Sequence, residues 1–331
     1  MTITADPAES SEAGNEIANW YDQPAKLIRR YSSYLIALLA ITVSLLLLYR
    51  LFRDYSLEDL RQSLVSADIA HLTASIGFAA ASYLTLTGFD YLALIYAGKR
   101  QSWRRAALAS FCGLSIGHNV GFAALSSGTV RYRLYSRWGL GAGDIAKVIA
   151  FCGMTVGLGM GVLGGVALVL QPQLAADLTG LGQGTLIGFG IAILVLILAY
   201  VALCHFKRTP FRFRKWIFTP PRPGLAVAQI AVGAINFAFV AACLHQAIAS
   251  FEAVSYPAAA AAFVIANTTA LIAHVPGGVG VIETVVLKLL PATQMLVAVL
   301  IFRLVYFLIP LPLGISALAI WELWTRRQKS D

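Results

Sequence analysis

The sequence predicts an all-α polytopic membrane protein with about six full transmembrane helices and two opposed re-entrant helical hairpins. Of its 331 residues, 58% are hydrophobic and only 12% are charged, whereas about a quarter of the residues of soluble domains are charged. Long apolar runs recur along the chain, and each approaches the roughly 20 residues that cross the hydrocarbon core of a bilayer. The runs are continuous rather than alternating, which is typical of spanning helices and not of barrel strands.

Eight apolar runs define the predicted membrane elements. In chain order they cover Tyr34–Phe52, Ala70–Ala97, Ala106–Leu125, Ile145–Leu170, Thr185–Cys204, Gly224–Ser250, Pro257–Val275 and Thr293–Trp321. Together they form one predicted transmembrane domain at residues 34–323. A polar leader at residues 1–33 precedes it and a short tail at residues 324–331 follows it. We expect the leader to be disordered, and both ends to be cytoplasmic.

The loop charges predict the first hairpin. Loops rich in lysine and arginine stay in the cytoplasm. Both loops that flank Ala106–Leu125 are basic, with Arg105 before it and Arg131 after it. Because a simple crossing would place one of these loops outside, we expect residues 106–130 to enter and return on the same side.

The same reasoning predicts a second hairpin near the C-terminus, where the tail carries Arg326 and Arg327. If this tail is inside, residues 257–291 make no net crossing and enter from the opposite side. Opposed broken helices in two halves of a chain are typical of transporters with an inverted repeat and a site near the membrane midplane. The alternative is eight plain crossings with glycine kinks, and the last run, with Pro310 and Pro312, can be divided differently.

Glycines and polar residues mark the predicted break in each hairpin. Non-helical backbone at membrane depth survives only where it is buried in protein or lines a wet cavity. The break residues are Gly117, His118, Asn119 and Gly121 in the first hairpin, and Pro276, Gly277, Gly278 and Gly280 in the second.

Four ionisable side chains lie inside the apolar runs, at Asp90, Glu283, Lys288 and Arg303. Each costs at least ~2.5 kcal/mol at the centre of a spanning helix, so each needs a partner, a wet cavity or a function. Asp90 is too short to reach the surface, and Arg131 or Arg133 can pair with it. Glu283 either caps the helix that follows the glycine break or faces a polar passage. Arg303 is a candidate partner for Glu283 or for a lipid phosphate, and Lys288 can extend to the surface.

A glycine stripe marks the run Ile145–Leu170. Its glycines recur every four residues, at Gly153, Gly157, Gly161 and Gly165. This spacing places them on one helix face, and we expect another helix to approach closely there.

Missing motifs narrow the function. No G-x-x-x-x-G-K-[ST] phosphate loop and no H-E-x-x-H motif occur in the sequence, so nothing indicates an ATP motor or a zinc hydrolase. The four cysteines lie in apolar runs without ligand spacing and are interpreted as packing residues. We therefore expect a transporter rather than an enzyme, with no cofactor, no metal and no nucleic-acid partner.

Two motifs resemble a known family. "SSGTVRYRLYSRWGL" (Ser126–Leu140) and "HVPGGVGVIE" (His274–Glu283), in this order and spacing, are similar to the membrane region of lysylphosphatidylglycerol synthases, the multiple peptide resistance factor family, and of their stand-alone flippase-like relatives. The resemblance implies a bacterial plasma membrane protein. It also implies a lipid flippase without synthase activity, because the soluble aminoacyltransferase domain is absent from this sequence. A separate lipid aminoacyltransferase is then a possible partner, and a homo-oligomer is also possible.

The resemblance assigns the family's functional positions to Asp90, Arg131 and Glu283. We hypothesise that the two carboxylates bind the ammonium groups of an aminoacylated phosphatidylglycerol, while Arg131, or Arg303 as second choice, binds its phosphate. Two alternatives stay open: a small-solute or ion transporter of the same design, and a non-catalytic membrane subunit of a partner enzyme.

Overall fold

The computed structural model describes residues 67–120, 123–207, 211–213, 216–273, 276–290 and 294–327. These residues belong to one compact unit. Nearly all of them are helical, which confirms the predicted all-α class. The leader, the predicted segment Tyr34–Phe52, Gly121 and residues 328–331 lie outside the described part of the chain.

The helices follow one another with short connections. In chain order the elements are α1 (Ile69–Tyr96), α2 (Trp103–Val120), α3 (Ala123–Arg137), α4 (Ala142–Leu170), α5 (Pro172–Thr179), α6 (Gln183–Phe206), β1 (Phe211–Phe213), β2 (Trp216–Phe218), α7 (Pro223–Ala249), α8 (Tyr256–Ile272), a 3₁₀ turn (Pro276–Gly278), α9 (Val281–Leu289), α10 (Met295–Arg303), a π-helical segment (Leu304–Leu308) and α11 (Pro310–Arg327). The two short strands form an antiparallel pair in the basic loop before α7.

Five stretches are long and apolar enough to cross a membrane. They are α1, α4, α6, α7 and the continuous stretch from α10 to α11. They coincide with five of the six predicted full crossings, and the sixth, Tyr34–Phe52, falls outside the described residues. The final run is one unbroken element despite its two prolines, because a π-helical segment precedes Pro310.

Two pairs of shorter helices occupy the positions of the predicted hairpins. Helices α2 and α3 pack against each other, as do α8 and α9. The last turn of α2 differs from the prediction: Gly117, His118 and Asn119 are helical, α2 ends at Val120 and α3 begins at Ala123. The first break thus follows these residues instead of containing them. That both pairs enter and leave the membrane on one side stays a prediction.

The core forms where α1 and α7 pack along each other, with α4 and α2 against them. Glycine brings α4 and α7 together, since a Cβ on Gly233 of α7 would lie 2.7 Å from the Thr155 carbonyl oxygen. The close approach of another helix that we predicted along the glycine stripe of α4 occurs at two of its four glycines and not at the other two. Gly153 and Gly157 have open space where a Cβ would be, whereas a Cβ on Gly165 would lie 2.9 Å from Leu194 of α6.

Candidate functional site

The first membrane charge, Asp90 of α1, lies in a doubly hydrogen-bonded ion pair. Arg131 of α3 donates to it from Nε to Oδ1 at 2.8 Å and from Nη2 to Oδ2 at 2.7 Å. The Tyr135 hydroxyl, one helical turn further along α3, donates to Oδ1 at 2.8 Å. Asp90 is 0% exposed and Arg131 is 3% exposed. This two-bond geometry is the strong arrangement for a carboxylate and a guanidinium in an apolar interior.

The sequence left two candidate partners for Asp90, and the structure separates them. Arg131 pairs with Asp90, while Arg133, on the same helix, donates instead to Glu322 of α11 at 2.5 Å. Residues two positions apart on a helix point in different directions, so one of them faces α1 and the other faces α11.

The second membrane charge, Glu283 of α9, forms an ion pair with Arg303 of α10. Arg303 Nε contacts Oε1 and its Nη2 donates to Oε2 at 2.9 Å. Glu283 Oε2 also accepts a hydrogen bond from the Gly280 backbone N–H at 2.8 Å. Glu283 therefore caps its own helix and pairs with a cation at the same time, which joins two roles that the sequence had left as separate possibilities.

Arg303 also binds the backbone of the glycine turn. Its Nη1 donates to the Gly277 carbonyl oxygen at 2.9 Å, and its Nη2 donates to the Gly278 carbonyl oxygen at 2.6 Å. A helix that is interrupted inside a membrane leaves such carbonyls without helical partners, and each must be satisfied within the protein. One guanidinium group thus supplies donors for the turn and charge for Glu283.

The turn itself requires glycine. Gly277 and Gly278 both have φ +61°, and Gly280 has φ +81°. Side chains other than glycine rarely adopt this left-handed region. A Cβ on Gly278 would in addition lie 2.9 Å from Ile282 Cδ1 and 3.0 Å from Ala270 Cβ. The P-G-G-x-G sequence therefore turns the chain in a space too narrow for a side chain at its second glycine.

The first hairpin meets the second at the end of α2 and the glycine turn. The last turn of α2 packs against the Pro276–Gly278 turn, and a Cβ on Gly277 would lie 3.6 Å from the His118 carbonyl oxygen. The neighbouring Asn119 donates from Nδ2 to the Phe307 carbonyl oxygen in the π-helical segment at 3.0 Å. The contact region between the last turn of α2 and the glycine turn, formed by residues 118–119 and 276–278, is called the hairpin junction below.

A proline leaves one carbonyl of the π-helical segment without a helical donor. Pro310 has no N–H, so the carbonyl four residues earlier, on Tyr306, loses its helical donor. The Tyr83 hydroxyl of α1 donates to this carbonyl at 3.1 Å. The Tyr306 hydroxyl lies 3.2 Å from Ser82 Oγ, and Ser82 donates to Asn236 Oδ1 at 2.8 Å. A series of hydrogen bonds thus connects α1, α7 and the π-helical segment.

His118 carries an unsatisfied polar atom at the junction. Its ring stacks on Tyr306, with ring centroids 6.0 Å apart. Within the part of the chain that the structure describes, its buried Nδ1 has no hydrogen-bond partner. Buried polar atoms in native proteins nearly always have one.

Taken together, the four predicted site charges form two separate ion pairs. Their exposed fractions are 0% for Asp90, 3% for Arg131, 7% for Glu283 and 4% for Arg303. The sequence left Glu283 either to cap its helix or to face a polar passage, and our hypothesis gave Arg131 the phosphate of the substrate. In this conformation both form ion pairs with protein side chains, since a buried charge without a partner of opposite charge is costly. Lys288 is exposed, as expected.

Sequence reasoning missed the tyrosines of the site. Tyr135 follows Arg131 by four residues, which is the spacing that places two side chains on the same helix face. That spacing could have predicted its contact with Asp90. No comparable signal marks Tyr83 or Tyr306, whose roles depend on how α1 and the π-helical segment pack together.

Comparison with known proteins identifies the family. The chain matches the family described as "Lysylphosphatidylglycerol synthase TM region" over residues 37–314. The chain belongs to this family. The matched region contains both hairpins and both ion pairs, and the resemblance inferred from the two motifs is confirmed.

Two relatives have similar lengths to this chain. "Uncharacterized protein slr0712" of Synechocystis sp. is 33% identical over 258 residues, which are 75% of this chain and 80% of that protein. "Inner membrane protein YbhN" of Escherichia coli is 27% identical over 281 residues, which are 83% of each chain. With five apolar helices long enough to span a bilayer, this member of the family is a multi-pass membrane protein.

Proposed function

We propose that this protein moves a phospholipid between the two leaflets of the bacterial plasma membrane, with lysyl-phosphatidylglycerol or a related aminoacylated phospholipid as substrate. The observation that carries the proposal is the hairpin junction, where the end of α2 meets the glycine turn, together with the two buried ion pairs, to each of which one hairpin contributes a side chain. Plain spanning helices need neither feature. The family description, which refers to lysylphosphatidylglycerol synthases, supports an aminoacylated lipid as the substrate.

The charges of the substrate match those of the two ion pairs. A lysyl-phosphatidylglycerol headgroup carries ammonium groups and one phosphate. When it reaches the junction, ammonium groups replace the arginines beside Asp90 and Glu283, and the phosphate replaces a carboxylate beside Arg131 or Arg303. Three of the four buried charges then exchange one partner for another, and when the phosphate binds Arg131, Arg303 keeps the Gly277 and Gly278 carbonyls as acceptors. This reduces the cost of several kcal/mol for an ion that is left buried and unpaired.

The junction provides further contacts along this path. The unsatisfied Nδ1 of His118 can accept from, or donate to, a headgroup that passes between the breaks. Because its ring lies against Tyr306, it is held in place before the headgroup arrives. The acyl chains stay in the lipid while the headgroup moves through the junction.

The membrane potential determines in which direction transport of this lipid requires an input of free energy. Lysyl-phosphatidylglycerol carries a net positive charge, and outward movement of one charge costs ~2.3 kcal/mol per 100 mV against an inside-negative potential. A gradient of newly made lipid or an exchange for protons would have to supply this free energy.

Vesicles with a defined lipid composition test the proposal. The purified chain is reconstituted into liposomes that contain either lysyl-phosphatidylglycerol or, as a lipid with the same amine-reactive group and no lysyl ester, phosphatidylethanolamine. An impermeant amine reagent then reports the outward-facing fraction over time. We expect the protein to expose the inner pool of the lysyl lipid faster than protein-free vesicles do, and faster than it exposes phosphatidylethanolamine. Equal rates with and without protein would contradict lipid transport, and equal rates for both lipids would contradict the aminoacyl preference.

A further inference from the structure

A second charged cluster lies apart from the hairpin junction, at the end of the molecule that carries the basic loops. Three arginine side chains converge on one carboxylate oxygen, Glu322 Oε1 of α11. Arg133 Nη2 lies 2.5 Å from it, and Arg137 Nη2 and Arg326 Nη2 each lie 3.1 Å from it. Glu322 offers one negative charge, and the two arginines of α3 that contact it, Arg133 and Arg137, carry two positive charges.

Two tryptophans complete the cluster. Trp138 and Trp321 pack edge to face with ring centroids 5.6 Å apart. The Arg137 guanidinium lies over the Trp321 ring at 5.5 Å, and the Arg105 guanidinium lies over the Trp138 ring at 5.5 Å. Tryptophan favours the boundary between lipid and water, so these rings indicate the depth of the lipid headgroups.

The arginines remain accessible although their carboxylate partner is not. The side chains of Arg133, Arg137 and Arg326 are 21%, 39% and 43% exposed, whereas the Glu322 side chain is 8% exposed. Arg133 also has a buried Nε without a hydrogen-bond acceptor in the described part of the chain. An unsatisfied guanidinium N–H beside surplus positive charge is what an oxyanion with several acceptor oxygens would satisfy.

We propose that this arginine–tryptophan cluster binds the phosphate of an anionic phospholipid, held between the C-terminal end of α3 and α11. The phosphate oxygens accept from Arg133 and Arg137, while the tryptophan rings contact the glycerol region and the start of the acyl chains. Glu322 keeps the arginines in place in the empty site and competes with the phosphate for them. This lipid stays at the surface, and its binding does not depend on transport through the hairpin junction.

Competition by Glu322 gives the proposal a distinctive test. If the cluster is only a structural ion network, Glu322→Gln lowers the stability of the protein and leaves its affinity for lipid unchanged. If the cluster binds a phosphate, Glu322→Gln removes the competitor and strengthens binding. Arg137→Gln removes a donor and weakens binding. Arg100→Gln is the matched control, because it removes the same charge from an exposed residue in the neighbouring loop.

The chain in detergent is titrated with a soluble short-chain phosphatidylglycerol, with short-chain phosphatidylcholine as the zwitterionic comparison that has a phosphate but no net charge, and tryptophan fluorescence reports binding. We expect phosphatidylglycerol to bind about tenfold more tightly than phosphatidylcholine. Arg137→Gln should weaken it about five- to tenfold and Glu322→Gln should strengthen it about threefold or more, after allowance for solvent exposure. Arg100→Gln should change it less than about twofold.

Three results would overturn the proposal. Equal affinity for the two lipids would remove the requirement for a net negative charge. Equal losses in Arg137→Gln and Arg100→Gln would reduce the effect to general attraction by a basic surface. Displacement of the lipid by inorganic phosphate at equal concentration would make free phosphate the ligand instead of a lipid. Thermal unfolding of each variant without lipid identifies any misfolded protein, and Arg137→Lys, which keeps the charge, then replaces a variant that does not fold.

Discussion

Replacement of Arg303 by methionine removes the group that holds the glycine turn. Among the described residues, the substitution leaves buried Glu283 with the Gly280 N–H as its donor, and it leaves the carbonyls of Gly277 and Gly278 without the donors they have now. Breaking a buried ion pair by removal of one partner costs about 3–5 kcal/mol. Hydrogen bonds between helices in membranes add less, about 0.6 kcal/mol each. We therefore expect Arg303→Met to lower the free energy of unfolding by about 3–5 kcal/mol.

Substitution of Glu283, the partner of Arg303, should lower the free energy of unfolding by less, and the losses from the two substitutions should not be additive. Glu283→Gln keeps an oxygen that can accept from the Gly280 N–H, and we expect a loss of about 1–3 kcal/mol. In the double variant no unpaired carboxylate remains, so the combined loss should be smaller than the sum of the single losses by about 1–3 kcal/mol.

Denaturant titration in detergent, followed by circular dichroism, measures these differences. Lys288→Met is the control, because Lys288 is exposed on the same helix and should change the free energy of unfolding by less than about 0.5 kcal/mol. Additive losses in the double variant, or a loss in Arg303→Met no larger than in the control, would refute the role assigned to Arg303.

Further substitutions test the geometry by their effect on the midpoint of thermal unfolding in detergent. Gly278→Ala should lower it more than Gly280→Ala, because both positions have positive φ but only the former lacks space for a Cβ; equal shifts would contradict the narrow turn. Gly233→Ala should lower the midpoint at the crossing of α4 and α7, while Gly153→Ala, with open space around it, should not. Tyr135→Phe removes the hydrogen bond from the hydroxyl to buried Asp90 and should lower the free energy of unfolding by about 0.5–1.5 kcal/mol. This loss should be clearly smaller than the loss caused by removal of Arg131, the ion-pair partner of Asp90.

The sequence was sufficient for much of the fold because the bilayer restricts the choices. Apolar length predicted the five spanning stretches, and loop charge predicted where the two short helix pairs lie. The exact place of the first break was not predictable, because glycine and asparagine are tolerated in the last turn of a membrane helix when neighbours satisfy its carbonyls. Asn119, helical and bonded to the Phe307 carbonyl, illustrates this.

The sequence predicted which residues form the site but not how they contact one another. The rule that membrane charges need partners led to Asp90, Glu283 and Arg303, and it offered the correct pairings among its options. It could not reveal that one guanidinium serves both Glu283 and the backbone of the turn, since that depends on how α10 lies beside the P-G-G sequence. The glycine stripe failed for a related reason: spacing defines a face, but packing decides which part of that face meets a neighbour.

Leaflet exposure of lysyl-phosphatidylglycerol in liposomes tests most directly whether the ion pairs at the hairpins carry the headgroup. The wild-type chain is compared with Asp90→Asn, which keeps the shape of the side chain and removes its charge, and with Gly153→Ala, which adds a methyl group where there is open space and changes no charge. The account predicts rapid equilibration of the two leaflets by the wild type and by Gly153→Ala, and a rate at least about tenfold lower for folded Asp90→Asn. A folded Asp90→Asn variant that equilibrates the leaflets as fast as the wild type would contradict it.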